Sequence, residues 1–264
     1  MRYPGVTALR SCVAATALAA ILTCGHAAEP TSEWPVRHQF DHFEIYSEFA
    51  PDIPRIRREI EDVQSEVTRL TGIRSSSEKT QIMLFSNHRA YVRYLGDDLP
   101  DARNRKAIFY RNGDVSQIYL FRSSDLFRDL RHELTHVVLH QRLPFIPLWI
   151  DEGLAEVIEA SAEERSRDPR VSSVRWRSRL GGIRSLTGLE NIASAGEMTA
   201  DDYRDSWSWV FYLLHESAET QKILRTYLQA IESGEAPGSF RQFLLERDPT
   251  AEKRINSYFR KVRF

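Results

Sequence analysis

The sequence predicts an α+β fold: a small mixed-sheet lobe, a pair of helices carrying the site, and a helical C-terminal lobe. Three observations lead there. Strand-like apolar runs are confined to residues 43–121. Among them, Pro51 to Leu70 carries a helical stripe of apolar residues. From residue 124 onward, helical spacing dominates. The expected divisions are a sheet lobe over about 41–121, site helices over about 124–163, and a helical lobe over about 164–264.

Taken in order, Phe43 to Phe49 (FEIYSEF) alternates apolar and polar residues and reads as a strand. In Pro51–Leu70, residues Ile56, Ile60, Val63, Val67 and Leu70 share one helical stripe, closed by Gly72. Gln81 to Phe85 (QIMLF) is a buried strand, and His88 to Leu95 a short helix ending at Gly96. Ala107–Arg111 and Gln117–Phe121 flank Asn112-Gly113, a hairpin signal. Ser123 or Ser124 can cap a helix running to about Gln141, which Pro144 and Pro147 prevent from continuing. A second helix is expected from near Trp149 to about Glu163. The polar stretch up to Asp202 reads as loop and short helix, and Tyr203–His215, Ala218–Ser233 and Ser239–Leu245 as helices. No internal repeat or long low-complexity linker interrupts this order.

The chain's 264 residues suit one domain, and 42% hydrophobic with 28% charged residues suits a buried core under a solvated surface. With 37 acidic against 36 basic residues, the net charge of −1 gives no reason to expect a nucleic-acid or anionic-membrane partner. Basic residues are dense at Arg175–Arg184 and Arg254–Arg263, where each is expected to be a solvated helix face.

Residues 1–28 read as a signal peptide. Arg2 and Arg10 precede an uncharged apolar stretch from Cys12 to Cys24, then Gly25-His26-Ala27-Ala28. Cleavage after Ala27 puts small residues at both specificity positions, and cleavage after Ala28 is next best. A membrane span needs about 20 apolar residues, more than this stretch supplies. Acylation of Cys24 would make a lipoprotein, but Thr23 is larger than the residue usual before such a cysteine. The expectation is therefore a periplasmic or secreted domain, residues 29–264, without a stable span after leader removal. Both cysteines lie in the leader, so the remainder has no disulfide, thiolate ligand or cysteine nucleophile.

His132-Glu133-Leu134-Thr135-His136 is an H-E-x-x-H segment. On a helix, side chains four apart project from one face about 6 Å from each other, so both imidazoles can reach one ion. Glu133 adjoins the first ligand and is the expected general base. Leu130, Leu134, Val137, Val138 and Leu139 make the helix largely apolar. Two histidines and a carboxylate on a buried helix need a partner, and a metal is the simplest one. Zinc suits neutral imidazole, and a catalytic site takes three protein ligands with one position open. For the third ligand, cysteine is absent and His140 lies roughly 12 Å from His132 along an unbroken helix. Asp151 is a candidate that would project about 100° away from Glu152 around its helix. Elimination thus favours Glu152, in Pro147-Leu-Trp-Ile-Asp-Glu-Gly-Leu-Ala-Glu156.

The tandem of His132–His136 with Trp149-Ile-Asp-Glu152-Gly153-Leu-Ala155-Glu156 resembles the gluzincin, or peptidase-MA-like, zinc metallopeptidases. Tyr203 to Leu214 (YRDSWSWVFYLL) is similar to the downstream helix of compact exported members. The resemblance implies a zincin-like fold, one Zn2+ per chain, Glu152 as third ligand and peptide-bond hydrolysis. Only 15 residues separate His136 from Glu152, a shorter gap than in the aminopeptidase branch.

Gly153 is expected to let the second site helix approach the first, and Glu156 to accept the outer N–H of a ligating histidine. Tyr203 is the first choice for the donor to the tetrahedral oxyanion, followed by Tyr212 and His215. An extended peptide or protein substrate could pair with the strand Gln117–Phe121, unless that strand is wholly paired inside the sheet. Three rival readings are a zinc-binding interaction domain with a relict site, a metal-dependent hydrolase of a non-protein amide, and a structural protein with a fortuitous motif, against which the second motif counts.

Overall fold

The computed structural model describes residues 34–96, 103–165, 168–180 and 182–262. The expected leader and both cysteines lie outside the described residues. Helices surround one five-stranded mixed sheet of order β1-β2-β3-β5-β4: Val36–Phe40, Phe43–Ser47, Thr80–Phe85, Val115–Phe121 and Ala107–Asn112 respectively. β2, β3 and β5 run parallel, while β1 and β4 are antiparallel edges. The β1–β2 turn puts Asp41 at φ 51°, and Gly113 turns β4 into β5 at φ 58°. Aspartate tolerates that left-handed region better than most side chains, and glycine enters it freely.

β5 lies between β3 and β4, so both its edges are taken and it cannot accept a peptide strand. The free edge on that side belongs to β4.

α1 (Ile53–Thr71) crosses over between β2 and β3. The side chain of Asp52 accepts from Arg55 N–H at 3.0 Å, and Gly72 at φ 83° ends the helix by donating to the Thr68 carbonyl. Its stripe of Ile56, Ile60, Val63 and Val67 packs with Ile45, Ile82 and Ile118 of the sheet. α2 (His88–Leu95) belongs to a separate apolar cluster, with Met83, Phe85 and Tyr119. Alternate residues of β3 thus enter different clusters, as the twofold period of a strand requires.

After β5 come α3 (Leu126–His140) and α4 (Leu148–Ile158), which run antiparallel, and then the short α5 (Ala162–Arg165). α3 starts after Asp125, whose side chain makes no capping bond; Ser123 instead accepts from Asp125 N–H. The second site helix stops short of Glu163 for a definite reason. Arg165 donates to the carbonyls of Val157 and Ala160, and Arg131 donates to that of Ile158, satisfying a helix end in the interior. Arg131 also pairs with Glu59 and Glu66 of α1 at 2.9 and 3.0 Å. The residue before His132 is therefore tied to two other helices.

The C-terminal part contains α6 (Pro169–Leu180), α7 (Leu186–Glu190), α8 (Ala200–His215), α9 (Ala218–Glu232), α10 (Phe240–Arg247) and α11 (Ala251–Lys261). Thr199 and Asp202 form a reciprocal capping box that fixes the start of α8. Gly153 of α4 faces α8, not α3. A β-carbon there would lie 2.6 Å from Val210 Cγ2 and 2.7 Å from the Ser206 carbonyl oxygen. The close approach it permits is thus to the helix that carries Tyr203. A continuous apolar cluster runs from Phe43 in the sheet to Phe259 in α11. Among the described residues, no helix is long and apolar enough to cross a membrane.

Candidate metal centre

α3 presents His132 and His136 one turn apart, with ring centroids separated by 5.0 Å. α4 brings Glu152 against both: its Oε2 lies 3.5 Å from His132 Nε2 and 3.8 Å from His136 Nε2. One ligand atom from each of the three falls within 4.8 Å of the others. A tetrahedral zinc held at about 2.0–2.1 Å has ligand–ligand edges of roughly 3.3–3.5 Å. The two edges to Glu152 come within a few tenths of an ångström of that, and the two histidines keep their ligand atoms within 4.8 Å of each other, so the donor set fits such an ion.

The outer nitrogens support the same geometry. His132 Nδ1 lies 3.1 Å from Glu159 Oε2, and His136 Nδ1 lies 2.9 Å from Asp151 Oδ1. With Nδ1 donating to a carboxylate, each ring keeps its Nε2 lone pair for the side facing Glu152. The partner expected for this work, Glu156, does something else: it pairs with Arg170, which also holds Glu159 and Asp168. Because α3 and α4 are antiparallel, the outer edge of His132 looks toward the C-terminal end of α4. Glu159 sits there, two turns beyond Glu152 on the same face.

Asp151 is not the third member of the Nε2 cluster. Its carboxylate bridges His136 and His140, the latter at 2.7 Å. Burial pushes its pKa up, but the two histidines outweigh this and hold it far below the usual carboxylate range. The group His136, His140 and Asp151 also has ligand-compatible spacing. Its short contacts are those of hydrogen bonds, which anchor His140 as a support for His136.

Glu133 is held differently. It is buried, yet forms no hydrogen bond or ion pair among the described residues, and it opens into a cavity of about 500 Å³. Burial raises its pKa, and the neighbouring charges of His132 and His136 only partly offset that rise. Glu152 goes the other way. Burial would raise it, but the hydrogen bond from His132 and the charge of His136 bring it below its ordinary value. Burial likewise favours neutral imidazoles, yet Asp151 and Glu152 lift His136 to about 9, and Glu152 and Glu159 lift His132 well above its ordinary value. The cluster is therefore rich in negative charge, which a divalent cation can balance in place of protons.

Tyr203, in the first turn of α8, lines the same cavity as His132, Glu133 and Glu152. Burial and the charge of Glu152 raise its phenol pKa, while the nearby guanidinium of Arg105 acts in the opposite direction. Tyr212 and His215 are not brought to the cavity. Tyr212 packs against Trp209 and Tyr258, and its pKa is pushed up to about 12 by burial. His215 Nδ1 bonds to the Phe211 carbonyl one turn back.

Two residues of the centre escaped the sequence reading. Glu159 had a usable signal, its two-turn spacing from Glu152. Arg105 had none: it precedes β4 and reaches the cavity only through the tertiary fold. No protein-family model matches the chain, and no curated protein matches it, so the centre stands on its own geometry.

Proposed function

We propose that this chain is an exported, single-zinc peptidase of zincin-like fold and gluzincin type, with His132, His136 and Glu152 as ligands and Glu133 as general base. One observation carries the reading. Two histidines with carboxylate-fixed tautomers aim Nε2 at Glu152, beside a buried Glu133 that faces a cavity and has no partner among the described residues. A binding-only site has no use for that last carboxylate. Two imidazoles and one carboxylate suit zinc in a catalytic site.

When bound there, zinc supplies a Lewis acid that polarises a carbonyl and acidifies water. Glu133, its basicity raised by burial, takes the proton of the attacking water and returns it to the leaving amine. Tyr203 and Arg105, together on the cavity wall, are the donors for the oxyanion. Glu159 and Asp151 keep the histidines oriented throughout. The start of β4, Ala107, lines the cavity at the free edge of the sheet, where an extended substrate can add as a strand. The leader pattern supports export.

The test is cleavage of a peptide library by the native protein and by Glu133→Gln. Native protein should cut and the variant should be slower by ~10²–10⁴-fold, the usual worth of a positioned base. Equal cleavage by both would remove Glu133 from the chemistry.

A further inference from the structure

α6 and α11, which carry most of the two basic segments of the sequence, lie side by side in the fold. Arg260 of α11 donates to the Ser178 carbonyl of α6 at 2.8 Å, and Arg175 of α6 donates to the Val262 carbonyl at 2.6 Å. Arg177 is offset by Asp201 and Asp205. Arg175, Arg179, Arg260 and Lys261 form no ion pair among the described residues. α6 contains no acidic residue, and neither do the last two turns of α11.

α6 also carries the most exposed large apolar side chains of the described protein. Trp176 is 61% exposed and Leu180 69%, one helical turn apart on α6 with Arg179 between them in sequence. The other four tryptophans are buried. An overall charge of −1 therefore conceals a local surface that is cationic and apolar together.

We propose that this α6–α11 face docks on an anionic lipid surface. The side chains present the matching chemistry. Trp and Leu project outward from the helix, as needed to enter the boundary between headgroups and acyl chains, where indole is favoured. The exposed cations Arg179 and Lys261 supply the charge that anionic headgroups attract, each worth roughly a fivefold gain in partitioning. A protein partner would call for a shaped groove around the apolar groups, whereas here two side chains stand out singly. Docking does not depend on the metal reading, but it would matter to it. Ser173, less than two turns before Leu180 on α6, lines a second cavity shared with Tyr203 and Glu156. The site would thus face substrates held at or near the membrane.

Trp176 reports on the proposal directly, since quenching by acyl-chain bromine acts only over short range. The purified chain is mixed with vesicles of brominated phosphatidylcholine, with or without an equal amount of brominated phosphatidylglycerol. Vesicles with phosphatidylglycerol should quench tryptophan emission, and Trp176→Phe should abolish the quenching. The Arg179→Glu/Lys261→Glu double variant and high salt should each weaken vesicle affinity at least about tenfold. Absence of quenching, equal quenching by phosphatidylcholine alone, or quenching retained in Trp176→Phe would each overturn the proposal.

Discussion

Glu133 differs from the neighbouring carboxylates in what holds it. Asp151, Glu152 and Glu159 each face a histidine nitrogen, and Glu156 faces Arg170, while Glu133 faces the cavity. That division sets the expected behaviour of single substitutions. Glu152→Ala removes a donor and should abolish tight zinc binding. Asp151→Ala leaves the three donors in place and releases the His136 ring, so affinity should fall by only about 10–100-fold. Competition titration against a chelating dye separates the two, and a larger loss in Asp151→Ala would exchange the roles assigned to them. At this scale the sequence was informative where spacing along one helix decides geometry, as for His132, Glu133 and His136. It was less so where a second helix's direction decides, which is why Glu156 was expected in the place that Glu159 holds. Arg105 was beyond reach, because nothing local marks a loop arginine that only the tertiary fold brings to Tyr203.

Elements explain why the residues stay where they are. α4 is clamped between α3 and α8, and Gly153 sets its distance from α8. Gly153→Ala must push the Ser206 backbone and Val210 apart, an overpacking that should cost ~1–3 kcal/mol and lower the melting temperature. A variant as stable as the parent would show that α4 and α8 separate freely. The first turn of α3 holds a second test. Burial raises the pKa of Asp129 to about 6 from 3.8. The folded state then binds a proton more tightly than the unfolded one, so this side chain's contribution is present below pH 3.8 and lost as pH rises toward 6. In EDTA-treated protein, Asp129→Asn should therefore gain melting temperature over the parent between pH 4 and 6, with no further gain above. A difference independent of pH would contradict that assignment.

Helices with a strong apolar stripe, such as α1, were legible in the sequence to within a residue or two. α6 was not: it buries little beyond Val171, Val174 and Ser178, so its stripe is too weak to read. β1 was missed because its residues are largely exposed and show no alternation. α11 did carry a stripe, Ala251, Ile255 and Phe259, but its basic exposed side masked it.

For the molecule as a whole, the α and β content, the mixed sheet and its place before the site helices were legible, because hydrophobic period changes at residue 124. Which strand lies at the edge was not, since pairing order depends on crossovers that leave no local mark. The sheet and the C-terminal helices share one apolar cluster. The centre is built where α3 and α4 meet, anchored to α1 through Arg131. A bound ion should therefore stabilise the entire fold by linkage, raising the melting temperature with zinc and lowering it with EDTA. The most direct measurement is the metal content of purified protein, taken by elemental analysis for the native chain and for His132→Ala. The account predicts one zinc per native chain and a stoichiometry near zero in the variant. A native chain that carries no zinc and takes up none on addition would contradict it.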